Sequence, residues 1–334
     1  MRRVELPAFG IDGMHINEVP VPEPGEGQLR VKVTACSINY RDNMIVNGFY
    51  KPDLNFPLVP LSDCAGVVDA TGPGVTEFKP GDKVVSVLWQ DWEEGALVAG
   101  KRTASPGCES PGVLSEHAIL QASGTALAPE TLTAAEAACI SAAGLTAFAS
   151  ITTVGQLKPG GSVLTLGTGG VSIFALQFAK AMGATVVITS SSDEKLERAK
   201  ELGADHVINY RDNPDWGEQA FALTGGVDVV VETAGAGTLA QSMAAVGFSG
   251  RIAYLGALAG MSAETNLMPL VVKNASIHGV TVSHRQDHIA MTRFIDEHAI
   301  KPVIDRHYAF EDGIQAIKDI VNGEHFGKLV VDVA

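Results

Sequence analysis

The 334-residue sequence predicts an α/β protein: a β-rich region followed by a doubly wound parallel sheet of six strands. Three observations carry that expectation. Between Ser162 and Tyr210 the chain reads strand, glycine turn, helix, strand, the order of a nucleotide-binding βαβ unit. Beyond Tyr210, continuous apolar runs alternate with helical segments, as a parallel sheet covered on both faces requires. Ahead of the βαβ unit, from Val4 to about Ala70, the chain is strand-like between Pro- and Gly-rich turns. The length suits about two domains.

Taken in order, Gln28 to Thr34 sets Leu29, Val31 and Val33 against Arg30, Lys32 and Thr34, the alternation of a half-buried strand. Pro20, Pro22, Pro24, Gly25 and Gly27 make the preceding connection a turn region. Leu58 to Val68 followed by Thr71 to Val75 reads as strand and turn, and Lys79 to Val85 as a turn into another strand. Asp91 to Pro111 is polar and irregular. Thr131 to Ser150 reads as a helix, with Thr133-x-x-Glu136 as its capping box.

The next strand is Val163 to Leu166, and then come Gly167, Thr168, Gly169, Gly170, Val171 and Ser172. Gly167 permits a tight turn, and Gly169 leaves room for a pyrophosphate to approach the backbone. Ser172 stands where the third glycine of Gly-x-Gly-x-x-Gly belongs, and a small residue still allows close packing. Phe174, Ala175, Phe178, Ala179 and Met182 mark one helix face, which Gly183 ends. The helix start offers free N–H groups and a positive dipole end to an anion. A bare βα turn would use the same glycines. Ala184 to Thr189 is the second strand, and Val207 marks the third. Val227 to Val231, Arg251 to Leu255 and Ile277 to Val282 complete six, with a helix over Leu239 to Val246.

NAD sites place an acid about 20 residues past the first glycine. Here that stretch is Thr189, Ser190, Ser191 and Ser192, with Ser191-x-x-Glu194 fitting a capping box. Hydroxyls followed by Lys195 suit a 2′-phosphate. Taken alone, Lys195 reads as a solvated helix lysine.

The formal net charge of −14 argues against a nucleic-acid partner. No run reaches the roughly 20 apolar residues of a membrane span. Met1-Arg2-Arg3 leads into no long apolar core, so no signal peptide is expected and a cytoplasmic protein is the simplest reading. Cys36, Cys64, Cys108 and Cys139 lie far apart with no Cys-x-x-Cys, which suits neither a disulfide framework nor a structural zinc cluster.

The run from Gly167 to Tyr210, with Ile208-Asn209-Tyr210-Arg211 at its end, resembles the medium-chain dehydrogenase/reductase superfamily. It is most similar to the zinc-free quinone-oxidoreductase branch, and the resemblance extends from about Val4 to Val333. It implies a GroES-like β-rich catalytic domain, 1–130 with 284–334, around a six-stranded Rossmann domain, 131–283. It implies NADPH as cofactor, with Lys195 and Tyr210 flanking the 2′-phosphate and Thr146, in Gly144-Leu145-Thr146-Ala147, near the nicotinamide. For Thr146 a hydroxyl bonded back to its own helix is the other reading. Substrate would lie in the cleft between the domains, and Ile277 to Val282 would pair across the two-fold of a homodimer.

Matched to the zinc enzymes of the superfamily, the metal-binding cysteine falls at Asn39, the Gly-His-Glu triplet at Leu61-Ser62-Asp63, and the second-site cysteine near Ala142. Of the four-cysteine structural-zinc lobe only Cys108 is present. Catalytic zinc needs about three Cys, His or carboxylate ligands; Asn39, Ser62 and Ala142 cannot supply them, and Cys36, Cys64 and Asp63 read as buried thiols and a turn aspartate, so no metal is expected. Without a Lewis acid, reduction of a quinone or activated C=C (an enone or enal) is easier than oxidation of an alcohol. The resemblance matches Asn39, Asp42 and Tyr50 to polar residues of the substrate site, and Tyr40 and Arg41 to a bacterial variant of it. Met44 departs from a tyrosine often found there. Asp42 reads equally as a structural hydrogen-bond partner. Three functions are thus expected in turn: an NADPH-dependent reductase, a zinc-type alcohol dehydrogenase, or a non-catalytic, crystallin-like nucleotide binder.

Overall fold

The structure, a computed structural model, describes residues 1–334. Its elements begin with β1 (Arg2–Glu5), β2 (His15–Glu18), β3 (Gln28–Ser37), α1 (Tyr40–Val46), β4 (Asp63–Thr71), β5 (Lys83–Ser86), β6 (His117–Gln121) and β7 (Thr125–Leu127). A helical stretch follows through α2 (Ala134–Ala138) and α3 (Leu145–Ala149). Then strands and helices alternate: β8 (Ser162–Leu166), α4 (Gly170–Ala181), β9 (Thr185–Ser190), α5 (Asp193–Glu201), β10 (His206–Asn209) and α6 (Trp216–Thr224). The alternation continues with β11 (Val227–Glu232), α7 (Leu239–Ala245), β12 (Val246–Tyr254), α8 (Met268–Lys273) and β13 (Ser276–Gly279). The chain closes with α9 (Arg285–His298), β14 (Ile304–Ala309), α10 (Gly313–Asp319) and β15 (Lys328–Asp332).

The chain divides into two compact units, Met1–Leu145 with Ser283–Ala334, and Thr146–Val282. The first holds a seven-stranded sheet in the order β14-β15-β3-β4-β5-β7, with β6 also on β3. Every pairing in it is antiparallel except β14 with β15. In β3, Leu29, Val31 and Val33 are buried and Lys32 is exposed, as the alternation requires. From Ala35 to Ser37 every side chain is buried, and α2 packs against the strand. That end leads into the candidate site.

The second unit is a six-stranded, all-parallel sheet in the order β10-β9-β8-β11-β12-β13. This is the doubly wound Rossmann order. The central β8 is buried at every residue.

Four boundaries differ from expectation. Thr133 is the N-cap of α2, so the helix opens at Ala134; Thr133 N–H donates to Glu136 Oε2 at 2.8 Å and Thr133 Oγ1 accepts from Glu136 N–H at 3.3 Å. The helical stretch runs on to Val154, through π-helical turns at Ile140–Gly144 and Ser150–Val154, a spacing that a 3.6-residue period does not reveal. The cap of α5 is Ser192 rather than Ser191: Ser192 Oγ accepts from Lys195 N–H at 3.3 Å, because β9 runs on through Ser190. Finally, β13 ends at Gly279, short of Val282: Val280 N–H still donates to Tyr254 O at 2.8 Å, and Val282 takes a left-handed backbone (φ 60).

Candidate active site and nucleotide site

In the first unit β3 ends at Ser37, and Ile38 and Asn39 carry the chain into α1. Asn39 is the N-cap, and its backbone N–H donates to Asp42 Oδ2 at 2.7 Å. Asp42, 2 % exposed, therefore has a structural role as the returning half of a capping box. Its other oxygen, Oδ1, is buried without a partner. Burial pushes the Asp42 carboxyl up to about 7; Arg41 opposes the shift, the Asp63 carboxylate adds to it, and the Asn39 N–H and Lys328 oppose it.

Arg41 Nη2 donates to Ser105 Oγ at 2.5 Å, and Ser105 Oγ donates to Glu109 Oε2 at 2.5 Å. The guanidinium carbon stands 5.0 Å from the centre of the Tyr50 ring, a cation–π distance. Arg41 Nε and Nη1 are buried without acceptors, as is Asn39 Nδ2. Each unmet buried donor costs about 1–3 kcal/mol, which an incoming acceptor oxygen would recover. Tyr50 is half-buried and packs against the core of the first unit. Tyr40, 41 % exposed, lies at the start of the same helix.

Sequence reasoning missed Lys328. It opens β15, is 4 % exposed, and its Nζ donates to Ile38 O at 2.6 Å and Asn39 Oδ1 at 2.7 Å. The signal available was a lone lysine heading the apolar run Leu329-Val330-Val331. Ser105 and Glu109 were missed as well, since they come from the irregular segment.

Of the positions matched to zinc ligands, Asp63 meets Ser62 and Ala142. Ser62 Oγ donates to Asp63 Oδ1 at 2.6 Å, and Ala142 N–H donates to Asp63 Oδ2 at 3.0 Å. Just before them Leu61 holds a left-handed backbone (φ 70), a conformation that costs about 1–3 kcal/mol and clusters at functional sites. The group does not fit zinc. Both Asp63 oxygens are taken, and Asn39 Oδ1 faces an ammonium. Cys36 and Cys64 stand opposite each other on β3 and β4, buried in the hydrophobic core, and Cys36 Sγ donates to Val113 O at 3.1 Å. No three His, Cys, Asp or Glu side chains form a group that could hold an ion.

In the second unit the βα turn has the features of an anion cradle. Gly167 takes φ 72 with open space where a Cβ would point. Gly169 caps the 12-residue α4 without a side-chain hydrogen bond, so the first N–H groups of that helix are not met by a cap. Thr168 is buried, and Gly170 and Val171 form the first turn of α4. Ser172 Oγ donates to Leu166 O at 2.6 Å, which holds the helix start against the strand end. At the ends of β9 and β10, Tyr210 N–H donates to Ser190 O at 3.1 Å. Ser190 Oγ accepts from Ser192 N–H at 3.3 Å. Lys195 follows in the first turn of α5, and Asp193, which opens that helix, accepts from Asn209 Nδ2 at 2.8 Å. The structure thus gathers Ser190, Ser191, Ser192, Lys195 and Tyr210 beside one turn. Thr146 is buried within α3, between the two π-helical turns.

Residues 25–130 match the alcohol dehydrogenase GroES-like domain, and residues 170–297 match the zinc-binding dehydrogenase family. A zinc-type alcohol dehydrogenase-like protein of Schizosaccharomyces pombe is 37 % identical over 97 % of this chain and 96 % of its own. The chain belongs to the medium-chain dehydrogenase/reductase superfamily. It is an oxidoreductase of that superfamily. Human quinone oxidoreductase is 27 % identical, over 99 % of this chain and 97 % of its own. A solved NAD-dependent alcohol dehydrogenase superposes with a TM-score of 0.90 at 34 % identity, each chain covered fully. A mycobacterial member solved with NADPH gives 0.83 at 26 %, again with full coverage of both. No helix of the protein is long and apolar enough to cross a membrane.

Proposed function

We propose that the protein is a zinc-independent, NADPH-dependent reductase of quinones or activated C=C bonds. The observation that carries this reading is the cluster of unmet buried donors, Asn39 Nδ2 with Arg41 Nε and Nη1, in a unit whose residues do not fit a metal. When bound, the reduced nicotinamide supplies a hydride. The serine run, Lys195 and Tyr210 supply hydroxyls and a cation suited to a 2′-phosphate. Thr146 is the candidate contact for the nicotinamide. On the substrate side, negative charge develops on the acceptor oxygen, and Asn39, Arg41 and Tyr50 can meet it with N–H and O–H groups. Tyr50 can also pack its ring on a flat apolar acceptor. Burial raises the Asp42 carboxyl to about 7, so it gains and loses a proton within the neutral range. Tyr40 stands at the exposed end of the same helix. The quinone-oxidoreductase relative supports the substrate class, and the NADPH complex supports the cofactor; the NAD-dependent structure makes the choice of nucleotide a matter for assay.

The test is turnover of quinones, enones, enals and simple alcohols with both nucleotides, alongside elemental analysis. Reduction of an enone or quinone with NADPH, well under one zinc per chain, and negligible alcohol oxidation are expected. Tyr50→Phe should lower kcat about tenfold or more with the KM for NADPH unchanged. Brisk alcohol oxidation with stoichiometric zinc would refute the reading. An unaffected kcat would remove Tyr50 from it.

A further inference from the structure

We infer that Lys328 is the positioning residue of this site: its ammonium decides which way round the Asn39 amide lies, so that Nδ2–H is offered to the acceptor oxygen. The inference rests on the reductase reading above. An ammonium carries three donors and no acceptor. Whatever lies against it must accept a hydrogen bond, so the amide oxygen faces Lys328 and the NH2 group points the other way. The contacts agree. Lys328 Nζ lies 2.7 Å from Asn39 Oδ1, and Asn39 Nδ2 is buried with no acceptor. The same Nζ lies 2.6 Å from Ile38 O, which pins the ammonium to the turn that carries the amide. That turn and the lysine share one strand ladder. β15 lies between β14 and β3, Val330 pairs with Ser37, and Ile38 N–H donates to Leu329 O at 3.0 Å. The strand that closes the chain therefore delivers a cation to the end of β3. With an apolar side chain at 328 the amide oxygen loses its charged donor and keeps only the Asp42 N–H of the capping box, so the turned-over amide, which presents Oδ1 to a developing oxyanion where two acceptors repel, gains population.

The experiment is a double-mutant cycle in kcat on an enone or quinone, using the parent, Lys328→Met, Asn39→Ala and the double variant. Lys328→Met should lower kcat about tenfold or more with the KM for NADPH unchanged, and Lys328→Arg should recover part of the loss. In the Asn39→Ala background, Lys328→Met should cost nothing further. Fully additive losses would overturn the inference, since a merely structural lysine gives that result. Asn39→Asp keeps an acceptor against Lys328 and removes only the donor, so it should lose kcat as Asn39→Ala does; an undiminished kcat would sink the idea even if Lys328→Met fails to fold. A readout without turnover is the side-chain amide resonance of Asn39, assigned by its loss in Asn39→Ala. That resonance should move in Lys328→Met, and an unmoved signal refutes the inference. A parent that reduces no acceptor refutes the reductase reading alone and leaves the resonance to decide on Lys328.

Discussion

At the scale of single residues, charge and burial set the sharpest expectations. A charge-assisted contact to phosphate is worth about 1.5–3 kcal/mol. Lys195→Ala should therefore raise the KM for NADPH about ten- to a hundredfold and leave that for NADH unchanged. Equal losses with both nucleotides would take Lys195 out of the 2′-phosphate site. Asp42 carries a pH dependence. Its folded value of about 7 lies above the ordinary value of a free carboxyl, chiefly through burial, so the folded state binds the extra proton. Its contribution to stability is full below about pH 4 and is lost as pH rises through about 7. Asp42→Asn can still accept from Asn39 N–H and does not titrate. Its melting temperature should fall less than the parent's between about pH 4 and pH 8, a relative gain on the order of a few kcal/mol at the upper end. Parallel melting curves across that range would contradict the assignment.

At the scale of elements, close backbone approach matters more than propensity. In β4, a Cβ on Gly66 would lie 2.2 Å from Lys32 O and 2.9 Å from Val31 Cγ1, both on the paired β3. Gly66→Ala must spread the two strands that lead to the site. Overpacking of this kind costs about 1–3 kcal/mol, so the melting temperature should drop by several degrees. Gly100→Ala, with nothing within 4 Å, is the control and should melt like the parent. Equal melting of the two variants would show that the strands absorb the methyl. The helix of Ala134 to Val154 teaches a related point. Its cap was legible in Thr133-x-x-Glu136, whereas its π-helical turns depend on packing and left no periodic signal.

At the scale of the whole molecule, the second unit has an open edge. β13 ends the six-stranded sheet with one side unpaired. Apolar side chains are exposed on the same unit, among them Phe248, Met261, Val271 and Val272, all at least 68 % exposed. An uncovered edge invites pairing, and self-pairing about a two-fold is the commonest closed solution. We propose a homodimer formed through β13. Light scattering at micromolar concentration should return twice the chain mass, and a stable monomer would contradict it.

The sequence by itself determined the elements whose causes are local. The strand alternation of Leu29, Val31 and Val33, the glycine turn at Gly167 to Gly170, and the six apolar strands all carry period or turn chemistry in consecutive residues. It also named Asn39, Tyr40, Arg41, Asp42 and Tyr50 as candidates, through the resemblance of that stretch to the quinone-oxidoreductase branch. Only the tertiary structure decided what these groups touch. Arg41 meets Ser105 across the irregular segment, Asp63 meets Ala142, and Asn39 meets Lys328 from the last strand. Such pairings come from strand order and helix packing, which bring together residues far apart in the chain. A lysine reads as solvated in sequence until the sheet that surrounds it is known; here the antiparallel pairing of β15 with β3 buries its ammonium on the Asn39 amide.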